Sequence, residues 1–98
     1  MKRSASFNPQ ARMELGEAAT YYGLESEALR RKFLLSVEEA LEHILGHPEA
    51  AETVRGDVRR KPLRRFPHSL LYTLRGTEVR ILAVMHQKRR PFYWWGRE

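Results

Sequence analysis

The chain has 98 residues and no cysteine, which leaves no room for a second core and excludes a disulfide framework and thiolate chemistry. It is 42% hydrophobic and 31% charged, the balance of a folded domain, and no apolar run approaches the roughly 18 residues of a membrane helix. The net charge of +6 is unevenly placed: residues 1–49 carry six Lys/Arg against eight Asp/Glu, and residues 50–98 carry twelve against four.

That asymmetry points to a polyanionic partner, either nucleic acid or an acidic protein segment, with a merely basic surface as the blander alternative. The opening MKRSASFNPQ is positive but lacks the apolar core of a secretory signal, so the expectation is one cytoplasmic domain over residues 1–98.

Residues 2–7 alternate briefly and read as a short strand. Asn8-Pro9 is a helix start, because Asn8 caps free amides and Pro9 forfeits only a donor without a partner. The first helix is expected to reach about Tyr22, with Ala11, Leu15, Ala18, Ala19 and Tyr22 on one stripe and Gly23 ending it. Ser26 and Glu27 restart a helix whose apolar face is Leu29, Phe33, Val37, Leu41 and Ile44, and Gly46 with Pro48 stops it. So short a link predicts an antiparallel helical hairpin.

Residues 47–57 read as a polar connection, after which the period changes from four to two. Val58–Leu63 is a strand that Pro62 confines to an edge, and Ser69–Arg75 is apolar enough to be central. Gly76-Thr77 suits a type II′ hairpin turn. In Glu78–His86 the alternation puts Val79, Ile81, Ala83 and Met85 on one face, and Arg80, Leu82, Val84 and His86 on the other. A basic, aromatic tail, QKRRPFYWWGRE, follows. The fold class is therefore α+β: a short N-terminal strand and a helical hairpin packed on a mostly antiparallel sheet of three to five strands.

Two cationic clusters flank the central strand, Arg59, Arg60, Lys61, Arg64 and Arg65 before it and Arg80, His86, Lys88, Arg89 and Arg90 on and after the last one. If they converge on one face beside Tyr93, Trp94 and Trp95, cations for phosphates and rings for unstacked bases suit RNA. A guarded sheet edge and core-closing tryptophans are the structural alternative. His86 is the candidate general acid/base. Metal-free phosphodiester cleavage would use His86 and Tyr93 for proton transfer and Lys61, Arg65 and Arg89 for phosphate charge. His43 and His47 share a helix face at the spacing of a zinc pair, but Gly46 and Pro48 end the helix there and no third ligand is near, so neither metal nor cofactor is expected.

Tyr21-Tyr22, Arg65-Phe66-Pro67 followed by Tyr72, and Ala83-Val84-Met85-His86 with Arg89, Pro91, Tyr93 and Trp94 together resemble the RelE/ParE superfamily of toxins, which includes ParE-like plasmid stabilisation proteins. The resemblance covers about residues 5–97. It implies a growth-inhibiting toxin of a bacterial type II toxin–antitoxin module, masked by a cognate antitoxin and commonly assembled with it as a 2:2 complex. RelE-like members cut mRNA on the ribosome without metal; ParE-like members share the fold and inhibit DNA gyrase. Ser69 stands where RelE-like ribonucleases often carry an arginine, which tips the resemblance towards a gyrase inhibitor over an endoribonuclease, with a member that only binds antitoxin as a third possibility. In either active case Arg59, Arg60, Arg64, Arg80, Arg90 and Trp94 are the candidates for contact with target or antitoxin.

Overall fold

A computed structural model describes residues 3–98. In chain order the elements are β1 (Ser4–Phe7), α1 (Pro9–Glu25), α2 (Glu27–Gly46), β2 (Thr53–Arg55), β3 (Val58–Pro62), β4 (His68–Arg75) and β5 (Glu78–His86). The strands form one sheet in the order β1-β5-β4-β3-β2, antiparallel except where β1 runs parallel to β5. This is the expected α+β architecture; Lys2, assigned to the first strand from sequence, lies outside the described residues.

Asn8 caps α1 as its position suggests, its Oδ1 accepting from the backbone N–H of Gln10 at 2.7 Å. The helix does not stop at Tyr22. Gly23 sits inside it, and the break comes at Ser26, a single extended residue that serves both helices. Its N–H donates to the Tyr22 carbonyl at 3.1 Å, while its Oγ accepts from the Leu29 N–H at 3.0 Å. Gly23 instead admits the Arg30 side chain, since a Cβ there would lie 3.2 Å from Arg30 Cδ.

The hairpin covers one face of the sheet. Phe33, Val37, Ala40 and Ile44 from α2 and Ala11 and Ala19 from α1 pack on Leu70, Tyr72, Val79, Ile81 and Val84. The Tyr72 hydroxyl donates to the Pro48 carbonyl at 2.7 Å, fixing the end of α2 to the central strand.

Residues 47–57 are not wholly irregular, because β2 pairs with β3 across the Gly56-Asp57 turn. Thr53 and Arg55 are exposed on an edge with only Val54 packed inward, so the apolar signal of a strand is a single residue. Pro62 falls where β2 has ended. The Arg60 N–H, two residues back on the same edge, still reaches the Glu52 carbonyl at 3.1 Å. The β4–β5 turn has Gly76 at φ 62, and Thr77 is not left-handed, as the type II′ expectation requires.

In β5 the simple alternation fails. Register jumps between Leu71↔Ala83 and Tyr72↔Ile81, leaving Leu82 as an extra residue. Val84 therefore joins Val79 and Ile81 on the helix side, while Leu82, Ala83 and Met85 face the opposite side. His86 moves with Val84 and stands beside His68, ring centroids 5.0 Å apart.

The opposite face is covered by the C-terminal tail. Trp94, 2% exposed, fills a second cluster with Val58, Leu71, Leu82 and Ala83. A run of turns carries the tail back across the sheet, and the backbone oxygen of Glu98 accepts from Asn8 Nδ2 at 2.8 Å and from the Arg80 guanidinium. The molecule thus has three layers: helices, sheet and tail.

Candidate functional site

The cationic residues singled out in the sequence do not gather on one face. Arg59 is used internally: its Nη1 donates to the carbonyls of Glu49 and Ala51, tying down the loop after α2. Arg60 pairs with Leu71 and so lies on the tail side, where its Nε is buried without a partner. Lys61 lines a cleft with His43, His47, Ala50 and Tyr72 at the far end of α2. Arg64 and Arg65 line another, against Leu29, Lys32, Ser36 and Glu39 of α2, held there by a 2.9 Å bond from Ser36 Oγ to the Arg64 carbonyl. Arg65 adopts φ 67, an uncommon left-handed conformation for a side-chain-bearing residue. Arg80 clamps Ser6 and Glu98. Arg90 is exposed. Trp94, expected on a contact surface, is instead a core residue because the tail folds its indole under itself; Phe92 and Trp95 are the tail rings left outside, 44% and 48% exposed.

A third cleft, about 210 Å³, brings His86, Arg89 and Tyr93 together with His68, Val84 and the α1 residues Glu14, Glu17 and Ala18. It exists because β1 ends at Phe7, level with Ile81, so the second half of β5 has an open edge towards α1. Glu14 fills that edge: its Oε1 accepts from the Val84 N–H at 3.0 Å and from Arg97 Nη1 at 3.0 Å. Arg97 Nη1 in turn donates to the Leu82 carbonyl at 3.1 Å. One acid and one base thus take the acceptor and donor roles of a missing strand.

The chemistry of this cleft is constrained by those bonds. The Tyr93 hydroxyl donates to Glu14 Oε2 at 2.8 Å, and its ring lies under the Arg89 guanidinium, 3.9 Å from the ring centroid, with Arg97 at 5.0 Å. Burial, then the bond to Glu14, pushes the phenol well above the usual tyrosine range, so Tyr93 holds its proton and is no base. His86 Nδ1 accepts from the Lys88 N–H at 3.0 Å, so that nitrogen is already engaged by the backbone. Burial, helped by the neighbouring His86, lowers His68 to about 4, and its Nδ1 is buried without a partner. Ser69 is buried between Pro62 and Met85 in the ladder and brings no cation.

Among the described residues, no group of three or more His, Cys, Asp or Glu is placed to hold a metal ion, and no helix is long and apolar enough to cross a membrane.

On the helix layer, an apolar groove of about 670 Å³ runs between Phe7 of β1, Leu15 of α1 and Leu34, Leu35, Val37 and Leu41 of α2, with Arg31, Lys32 and Glu38 on its rim. Sequence periodicity marked the inward stripe of α2 but not this second one, because Leu34 and Leu35 fall one and two positions off it.

Two residues of the edge-filling pair escaped the sequence reading. Glu14 carried a signal, since it lies three residues after Ala11 and four before Ala18, inside the apolar stripe. Arg97 carried none, because its role depends on the path of the tail.

Residues 5–91 match the family described as ParE toxin of type II toxin-antitoxin system, parDE. The fold is similar to a solved structure described as a chromosomal ParDE TA system from P. aeruginosa, with a TM-score of 0.64 and 21% identity over 87% of this chain and 96% of that one. No curated protein sequence matches at a significant level.

Proposed function

Because the chain belongs to the ParE toxin family of type II toxin–antitoxin systems, we propose that it arrests growth by binding DNA gyrase in the cytoplasm, without breaking a bond itself. The observation that carries this reading is the dispersal of the would-be nuclease groups. Lys61, Arg65 and the His86–Arg89–Tyr93 set line three different clefts. In-line cleavage of RNA needs base, acid and charge-stabilising cations within hydrogen-bond reach of one phosphate. Tyr93 is committed to Glu14, and Ser69 offers no charge at the central strand. The test is a supercoiling assay with purified gyrase: inhibition that rises with toxin concentration is expected, and gyrase at full activity in saturating toxin rules the reading out.

A second reading, ribosome-dependent mRNA cleavage, draws on the one cleft where His86 and Arg89 do meet. It requires new mRNA 5′ ends in a translating extract.

An antitoxin is the partner that membership of the family implies. The apolar groove over Phe7, Leu15 and Leu34 suits it: its floor takes the apolar anchors of a helix or extended segment, and Arg31 and Lys32 on the rim take acidic side chains.

A further inference from the structure

The tail carries a second exposed feature on the layer opposite that groove. Arg55, the last residue of β2, places its guanidinium 4.2 Å from the ring centroid of Trp95 and 5.1 Å from that of Phe92. Trp95 and Phe92 are 48% and 44% exposed, whereas Trp94, whose ring stands 6.0 Å from Trp95 and 5.9 Å from Phe92, is buried and gives them a rigid backing.

The patch is fitted together from two distant segments. Gly56 turns the β2–β3 hairpin at φ 56, and a Cβ there would meet the far edge of the Trp95 indole at 3.2 Å. Phe92 holds φ 60, a left-handed conformation uncommon for an aromatic residue that persists only where the surroundings impose it. No ion pair among the described residues involves Arg55. A guanidinium stacked on rings keeps its N–H edge free, and that planar fork matches a carboxylate with two parallel bonds.

We propose that the Arg55–Phe92–Trp95 patch is the surface by which the toxin grips its target protein, taking a carboxylate of an acidic segment on Arg55 and an adjoining apolar side chain on the two rings. The inference rests on the reading that the target is a protein. Stacked arginine with rigid aromatics is the composition of interface hot spots. A nucleic acid fits less well, because Asp57 and Glu98 line the cleft alongside Trp95 and would interrupt a track for phosphates. The antitoxin groove lies on the helix layer, so target and antitoxin would be engaged from opposite sides of the sheet.

The experiment uses the full chain and two surface variants, Arg55→Glu and Trp95→Ala, each checked for an unchanged thermal transition. Growth arrest on expression and inhibition of purified gyrase are read in parallel, and Trp95 replaced by a photoreactive phenylalanine is cross-linked against gyrase and against DNA of the same solution. Expected are a loss of at least tenfold in both potencies, only partial rescue by Arg55→Lys, and a cross-link to an acidic stretch of protein. Folded variants that arrest growth like the parent, or a cross-link to DNA alone, overturn the proposal. If the parent leaves gyrase untouched while the variants still lose growth arrest, gyrase is the wrong target and the patch stands.

Discussion

Glu14 on α1 and Arg97 in the tail meet at 3.0 Å, and between them they complete the edge of β5, one accepting from Val84 and the other donating to Leu82. The two side chains are only 15% and 13% exposed, so the pair joins helix layer, sheet edge and tail in a place water hardly reaches.

Breaking this pair from either side leaves a buried charge and an unpaired backbone group. Glu14→Ala and Arg97→Ala should each cost about 3 kcal/mol, the low end for a disrupted buried pair. Glu14→Gln, which still accepts from Val84, should cost less. The double variant should fall well short of the sum. Urea unfolding of the parent and the four variants tests this, and simple additivity would show that the two side chains act independently.

Adjacent tryptophans should behave as opposites. Trp94→Ala empties the centre of the tail-side cluster and should cost about 3–5 kcal/mol. Trp95→Ala should change stability by less than about 1 kcal/mol, since half its surface is already in water. Iodide should quench one of two emitting populations in the native protein and both after unfolding.

Acid should weaken the fold through His68. Its folded pKa of about 4 lies below the ordinary histidine value of 6.5, so the unfolded chain takes up a proton first as pH falls. The neutral imidazole's contribution is complete above pH 6.5, declines between 6.5 and 4, and is exhausted below that, a loss of about 3 kcal/mol at most. Denaturation midpoints measured from pH 7.5 to 4 should show this limb, and His68→Phe, placed between the rings of Phe33 and His86, should flatten it.

Activity should be insensitive to the nuclease candidates. Lys61→Ala and His86→Ala should arrest growth within about threefold of the parent if no proton transfer is involved. A loss of a hundredfold or more in folded His86→Ala, with fresh mRNA ends appearing only in the parent, would establish cleavage instead.

What could be read in the chain beforehand follows from where the information resides. Phe33, Val37 and Ile44 repeat at helical spacing and settled the hairpin; Val79 and Ile81 did the same for β5. β2 was invisible because an exposed edge strand shows only Val54 to the core. The family resemblance was legible in Tyr72, His86 and Arg89, and the match over residues 5–91 bears it out. Roles within the basic set were not legible: Arg59 satisfies loop carbonyls and Arg80 holds the tail, and neither job depends on anything close by in sequence. Trp94 and Trp95 are indistinguishable as letters, and only the path of the tail decides which of them is enclosed.

The extra residue at Leu82 works as a phase shifter for everything downstream. Side chains before it and after it keep their own alternation, offset by half a period. Substituting Leu82 would loosen the tail-side cluster it shares with Leu71 and Trp94 but leave the phase of the strand unchanged. Deleting it would exchange the two surfaces of the strand's end, sending Val84 and His86 under the tail and Met85 against the helices. The tolerance of this strand to change should therefore be set by residue count more than by residue identity.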